Sequence, residues 1–141
     1  MNRLVRMIMT TLVLGVAGSA GAFIHSLMAE QARPPSETRG AAAKTVAAVD
    51  LGPEIQGMQG RQLRMRVVTL EPGGVFAVHD HKNRPSVEYM LRGEATEFRG
   101  SASRTYHEGE AFIGDRNTEH WWRNDGKVPA VIIAVDVVQT Q

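Results

Sequence analysis

The stretch from Gly73 to Asn124 decides the fold; it begins GGVFAVHDH and ends EHWWRN. His79 and His81 are two positions apart, so on an extended strand both imidazoles point to the same face. His120 lies far along the chain, in a second short segment with the composition of a strand. A fold that packs these two strands against each other would bring three imidazole nitrogens together. The sequence therefore predicts a three-histidine metal site inside a β-structure.

Length, charge and cysteine content limit the classes of function. The chain has 141 residues, enough for one domain core and a short additional segment. The 16 Lys and Arg residues nearly balance the 15 Asp and Glu residues, and no basic block is present, so nucleic acid is not an expected partner. The absence of cysteine excludes disulfides, thiolate metal sites and cysteine nucleophiles. A metal would therefore be held by nitrogen and oxygen ligands.

The N-terminal segment, residues 1–29, has the layout of an export signal. Arg3 and Arg6 precede an uncharged apolar run that ends at Ile24, and small residues such as Ala29 offer cleavage positions. The apolar run is close to the shortest length that spans a bilayer, so an uncleaved membrane anchor is the alternative. In either case the following domain is expected in the periplasm or outside the cell, with membrane contact through this segment alone.

The rest of the chain is predicted to be a flexible linker followed by one β-domain. Residues 30–44 contain Pro, Gly, Ser and Ala without apolar periodicity, which is typical of a linker. Residues 45–141 contain about nine short strands separated by turn signals and no convincing helix, which predicts an all-β sandwich or barrel. Residues 71–74 (EPGG) are predicted to be a tight turn, and Asp125-Gly126 is a strong hairpin signal.

The predicted strand over residues 61–70 alternates in polarity. Leu63 and Met65 lie on one face, and Arg64 and Arg66 lie on the other. This pattern predicts a strand with one buried side.

Two motifs in the central stretch resemble those of the cupin superfamily, in its small single-domain form with a type-2 conserved barrel. The segment from Gly73 to Gly93 resembles the first motif, with a glycine, HxH, an acid and a closing glycine. The segment from Gly109 to Asn124 resembles the second motif and includes His120. Asp115 and Asn117 replace its usual proline and glycine, and both are turn residues. The resemblance implies a jelly-roll β-barrel, and its imidazoles with a carboxylate or water would suit a divalent Fe, Mn, Ni, Cu or Zn ion.

The fourth ligand position is where the chain departs from the family pattern. Ser86 stands where the family's glutamate ligand normally lies, and Glu88 lies two positions further along, on the same face of the strand. Glu88 is therefore predicted either to complete the metal site after a small shift or to contact one of the imidazole ligands without binding the metal itself. If Glu88 is not a ligand, it is the inward acid that would act as a catalytic base.

Two further residues are predicted near the metal. Trp122 has the same strand parity as His120 and should point inward, whereas Trp121 should pack outside the barrel or between subunits. Arg84, in the loop beside the histidine pair, is placed to bind an anionic group, with a solvated loop charge as the alternative. The large apolar side chains expected in the core are Tyr89, Met90, Phe98, Phe112, Ile132, Ile133 and Val135.

The predicted function is a class rather than a single reaction. Neutral imidazoles with a carboxylate or water suit divalent transition metals and leave coordination positions open to a ligand. The first hypothesis is a metal-dependent enzyme, exported by its N-terminal segment, that acts on a small chelating and anionic molecule. The resemblance implies dioxygenase, isomerase or decarboxylase chemistry. A non-catalytic module that binds a metal or small molecule is the alternative, followed by a regulatory cupin. A homodimer is expected, with the apolar strand Val128–Val138 as its contact.

Overall fold

The computed structural model describes residues 33–140, and this part of the chain forms eight β-strands and no helix. In chain order the strands are β1 (Arg39–Asp50), β2 (Arg61–Asp80), β3 (Ser86–Arg92), β4 (Glu94–Arg99), β5 (Ala102–His107), β6 (Ala111–Gly114), β7 (Glu119–Arg123) and β8 (Ala130–Gln139). The all-β class is confirmed, with eight strands in place of nine. The predicted signal or anchor, residues 1–29, lies outside the described residues. Within residues 33–140, no helix could span a membrane.

The strands form two sheets that share β2. The first has the order β1-β2-β8-β3-β6, and the second has the order β2-β7-β4-β5. The N-terminal half of β2 pairs with β1 and β8, and its C-terminal half pairs with β7. All neighbours are antiparallel. The result is a nearly closed barrel, consistent with the jelly roll that the resemblance implied.

The strand β2 bends at residues 71–74 but does not end there. Arg39 and Ala41 of β1 pair with β2 residues on either side of the bend, so β2 has extra residues at this point. Gly73 has a φ of 75°, and a side chain on Gly74 would collide with the backbone of β1. The predicted tight turn is therefore wrong, because these glycines form a bulge that lets one long strand pass between the two sheets.

Two other boundaries differ from the prediction. The first strand begins at Arg39, so the latter part of the predicted linker (residues 30–44) is strand. The sequence of this part shows no apolar periodicity because β1 is exposed along almost its whole length. Asp125-Gly126 does not close a hairpin, since β7 pairs with β2 and β4 whereas β8 pairs with β2 and β3.

The interior contains one apolar cluster. Burying such side chains stabilises a domain by about 1.5–3 kcal/mol each relative to leaving them exposed. The cluster consists of Val68, Leu70, Met90, Ala95, Tyr106, Phe112, Trp122, Ala130, Ile132 and Ala134. Three predicted core residues are in it, Met90, Phe112 and Ile132. Tyr89 is 44% exposed, so its assignment to the core is wrong; alternation in β3 turns it outward where Met90 turns inward.

The buried side of β2 is the one that carries the arginines. Leu63 and Met65 are 38% and 40% exposed, whereas Arg64 and Arg66 are partly buried on the face that points inward. The reason is Asp136 on β8, a buried carboxylate that pairs with both arginines. The inner wall is therefore polar at this point, and the outer wall is apolar.

Candidate metal centre and adjoining cationic cluster

Three imidazoles converge inside the barrel. His79 lies near the end of β2, His81 follows that strand, and His120 lies on β7, directly opposite His79 in the ladder. The Nε2 atom of His120 is 3.0 Å from the Nε2 atom of His79 and 3.0 Å from that of His81. His81 and His120 are buried and His79 is partly buried. The structure thus brings together the three histidines that the sequence selected.

The other ring nitrogens of the first two histidines have hydrogen-bond partners. Nδ1 of His79 is 2.9 Å from the carbonyl oxygen of Ala77. Nδ1 of His81 is 3.1 Å from the carbonyl oxygen of Arg84 and 3.1 Å from Oγ of Ser86. Because a carbonyl oxygen can only accept, each Nδ1 carries the hydrogen and donates it. Each Nε2 therefore directs its lone pair at the centre of the cluster.

Glu97 on β4 provides the hydrogen-bond partner for Nδ1 of the third histidine, His120. It is 3% exposed, and its carboxylate accepts hydrogen bonds from Nδ1 of His120 at 2.5 Å, from Arg99 at 2.8 Å and from the Tyr106 hydroxyl at 3.4 Å. Burial alone would raise the pKa of Glu97, but the hydrogen bonds from His120 and Arg99 outweigh it and hold the pKa below its ordinary value. The ionised carboxylate fixes the ring of His120 and makes its Nε2 more basic.

Glu97 is not among the site residues that the sequence predicts. One sequence feature indicates that Glu97 points inward: it lies two positions after Ala95, so both side chains are on the same, buried face of β4. Parity alone could not identify the partner, because His120 reaches Glu97 through the pairing of β4 with β7.

This donor set fits a divalent transition metal. Two nitrogens bonded at about 2.1 Å to one cation and at right angles lie about 3.0 Å apart, which is the observed separation. Burial lowers the pKa of His79 and of His81 to about 4, so both rings stay neutral near pH 7. Three lone pairs facing one another repel, and a cation between them would remove that repulsion.

Three arginines converge on one carboxylate of the inner wall. Asp136 is 1% exposed; it accepts hydrogen bonds from Arg64 at 3.0 and 3.1 Å and from Arg84 at 3.0 Å, and it forms an ion pair with Arg66 at 2.9 Å. Burial would raise the pKa of Asp136, but these guanidinium groups hold it below its ordinary value. Three positive charges against one negative charge leave an excess of positive charge, which favours an anionic ligand. Arg84 pairs with Asp136, and its predicted binding of an anionic group stays a prediction.

A small cavity adjoins both groups. It is lined by residues that include Arg66, His79 and Glu88, and its volume is about 20 Å³. That volume is slightly more than one water molecule needs. The Nε atom of Arg66 is buried without a hydrogen-bond partner among the described residues. Arg66 therefore has a donor available beside the histidine cluster.

The family follows from a match to known proteins. A family model described as "Cupin domain" matches residues 66–136, a range that contains the three histidines and Asp136. This chain is a cupin. A germin-like protein of Arabidopsis thaliana, subfamily 2 member 2, is 28% identical over 86 residues. That match covers 57% of the cupin described here but only 39% of the plant protein's length.

Solved structures share the fold. A conserved protein of Klebsiella pneumoniae with a double-stranded β-helix domain superimposes with a TM-score of 0.57 and 15% identity, covering 77% of this cupin and 90% of that chain. A recombinant oxalate oxidase in complex with glycolate gives a TM-score of 0.53 and 24% identity, with 76% and 57% of the two chains covered. At these identities the likeness concerns the barrel alone.

In this cupin Glu88 is not one of the residues that converge on the metal position. The ligand atoms that lie within 4.8 Å of one another belong to the three histidines. Oε1 of Glu88 accepts a hydrogen bond of 2.7 Å from Ser86, whose Oγ also contacts His81. Burial raises the pKa of Glu88 although the hydrogen bond from Ser86 opposes the rise. Glu88 is thus linked to His81 through Ser86, and its role as a metal ligand, as a support of an imidazole or as a base stays a prediction.

The two tryptophans of the cupin motif lie on opposite faces of β7. Trp122 is 3% exposed, belongs to the apolar cluster and lies 5.6 Å from the ring of His120, so it points inward as predicted. Trp121 stacks on Phe98 at 3.8 Å on the other face of the sheet. Contact of Trp122 with a ligand stays a prediction.

Proposed function

We propose that this cupin is an exported metal-dependent enzyme that acts on a small, chelating, anionic molecule. The observation that supports it most is the convergence of three Nε2 lone pairs beside an arginine with an unpaired buried donor. When bound, a divalent metal supplies a Lewis acid or, as iron, a redox centre with positions open to a ligand. Dioxygenase, isomerase and decarboxylase chemistry are all compatible with such a centre, and the fold does not choose among them.

The chain's own residues have separable roles in this proposal. His79, His81 and His120 hold the metal, and Glu97 orients the last of them. Arg66 binds the anionic group of the ligand and aligns the ligand with the metal. The cavity admits only a small group, and the apolar wall beside it limits the entry of water.

Arg66 is a better anchor for the anion than Arg84, which the sequence selected. Both contact Asp136, but Arg66 lines the cavity and has an unpaired Nε. A solved relative of this fold, the oxalate oxidase, is in complex with glycolate, and this supports a small carboxylate as the ligand class. The compartment is proposed from the basic and apolar N-terminal segment, which has the layout of an export signal.

Metal analysis of the protein exported by its own host is the first part of the test. Metal in heterologously produced protein reflects the growth medium and general affinity order, so the native source matters. We expect about one Fe, Mn, Ni, Cu or Zn ion per chain, and a loss of bound metal of at least 10-fold in His79→Ala. Native protein free of metal would contradict the proposal.

Turnover is the second part. The metal-loaded protein is incubated with a panel of small hydroxy- and keto-carboxylates, with oxygen uptake and product formation followed. Arg66→Gln should retain the metal but weaken carboxylate binding by about 10-fold or more. Arg64 and Arg84 still pair with Asp136 in this variant, so the fold is maintained. Arg104→Gln, which removes an exposed arginine paired with Glu110, is the matched control.

Glu88→Gln separates the roles left open for this residue. Loss of metal would identify Glu88 as a ligand, whereas retained metal with lost turnover would identify it as the base. A tightly held metal that supports no turnover with any substrate would favour the non-catalytic binding module.

A further inference from the structure

A second bulge lies in β2, directly before the first histidine of the cluster. Phe76 pairs with Trp122 of β7, and His79 pairs with His120. Trp122 and His120 are two positions apart, so strand alternation places both on the inner face. Phe76 and His79 are three positions apart, yet both line the cavity beside the cluster. Between these two pairs β2 therefore has one residue more than β7.

This bulge, at Ala77 and Val78, decides where two of the three imidazoles point. Without the extra residue, alternation from Phe76 would turn His79 to the outer face of β2. His81 would turn outward with it, because the two histidines share one face of the strand. The convergence of three ring nitrogens thus depends on this irregularity.

The segment directly before β1 bonds both N–H groups of the bulge. The backbone N–H of Ala77 donates to Oγ1 of Thr38 at 3.0 Å. The backbone N–H of Val78 donates to the carbonyl oxygen of Pro35, also at 3.0 Å. We call residues 35–38 the strap.

The bulge in turn bonds the ring that it redirects. The carbonyl oxygen of Ala77 accepts a hydrogen bond from Nδ1 of His79 at 2.9 Å. A continuous series of contacts therefore connects Thr38 to Ala77 and Ala77 to His79. The ring of Pro35 fixes its own φ, so the second contact of the strap comes from a stiff part of the backbone.

We infer that the strap positions the metal ligand His79, with Thr38 as the positioning side chain. The strap holds the bulge, and the bulge turns the imidazole towards the other two rings. The inference rests on the metal centre of the proposed function but is independent of turnover. It gives residues 35–38, which lie in the predicted linker, a role in metal binding.

Imidazole NMR of the chelator-treated full-length chain tests the positioning without metal. The ring centroids of His79 and His120 are 4.6 Å apart, so the wild type should show a nuclear Overhauser effect between them. Thr38→Val keeps the side-chain shape but removes the acceptor, so this effect should weaken. The amide of Ala77 should exchange with solvent about 3- to 10-fold faster. Thr38→Ser retains the hydroxyl and should restore the wild-type values.

Co(II) titration measures the consequence for metal binding. Thr38→Val should bind Co(II) about 3- to 10-fold more weakly than the wild type, with altered d–d absorption bands because one imidazole is displaced. Thr38→Ser should match the wild type. The matched control is Thr105→Val, which removes an exposed hydroxyl whose partner is Oγ1 of Thr96 on β4. This control should match the wild type in both experiments.

The results separate this inference from the proposed function. An unchanged ring signal and unchanged exchange of the Ala77 amide in Thr38→Val would overturn the inference, whatever metal the wild type binds. Equal losses in Thr38→Val and Thr38→Ser would also overturn it, because the hydroxyl would then have no role. A wild type that binds no Co(II) would contradict the metal centre, and the NMR comparison would still decide whether the strap positions His79.

Discussion

At the scale of single residues, the carboxylate of Glu97 orients the ring of His120 within the histidine cluster. Glu97→Gln keeps the shape of the side chain but removes the charge that His120 donates to at 2.5 Å. Replacing such an outer partner weakens metal affinity by about 10–100-fold. We expect that loss in a competition titration against a chromophoric chelator.

The chain contains a matched control for this substitution. Glu94, on the same strand, contacts His107 at 3.1 Å in an exposed pair remote from the cluster. Glu94→Gln should leave metal affinity unchanged. Equal affinities for the Glu97→Gln variant and the wild type would show that the carboxylate has no influence on the metal.

The residues of the candidate site differ in how far the sequence reveals them. His79 and His81 were predictable because strand geometry fixes two neighbours on one face. Glu97 was not, because its partnership with His120 depends on which strands become neighbours. Arg66 shares a strand face with Arg64, and that face is the inner one because Asp136, buried on β8, pairs with both arginines.

At the scale of strands, Gly114 at the end of β6 allows His81 to lie against the backbone. A side chain at Gly114 would collide with the His81 ring and with Oγ of Ser86. We expect Gly114→Ala to displace the ring, to weaken metal binding by at least 10-fold and to lower the free energy of unfolding by about 1–3 kcal/mol. Calorimetric metal titration and urea denaturation measure the two effects.

Gly93→Ala is the control for a loss of stability that does not displace His81. Gly93 has a φ of 73°, and a side chain there would collide with the carbonyl oxygen of Pro129, remote from the histidines. This variant should lose stability yet bind metal normally while folded. A similar loss of metal affinity in both variants would show that destabilisation, not displacement of His81, is the cause.

Strand existence was more predictable than strand limits. Alternating polarity located most strands, but the segment at residues 71–74 has the composition of a turn and is a bulge. The local sequence is compatible with a turn and with a bulge. The bulge forms because β1 pairs with β2 on either side of the bend. Pairing between distant segments also explains why Asp125-Gly126 precedes β8 without forming a hairpin.

At the scale of the whole molecule, the buried histidines make the stability of the metal-free protein depend on pH. The ordinary pKa of His79 and His81 is 6.5, and burial lowers it to about 4 in the folded state. Between these values the unfolded chain binds protons that the folded chain does not. Stability is therefore complete above pH 6.5 and falls, on the order of a few kcal/mol, as the pH decreases towards 4.

Urea denaturation of chelator-treated protein at a series of pH values measures this dependence. The slope between pH 6.5 and 4 should flatten in His79→Gln/His81→Gln and persist in His107→Gln, which changes an exposed histidine. An unchanged slope in the double variant would assign the acid sensitivity to other groups.

The convergence of His79, His81 and His120 has a further consequence for the backbone. A cation held by these rings would join points separated by 39 and 41 residues, as a cross-link does. Closing a loop of about 40 residues removes roughly 4 kcal/mol of chain entropy from the unfolded state by the same reasoning that applies to disulfides. Metal supply would then set how long this cysteine-free barrel survives proteases, whatever reaction it performs.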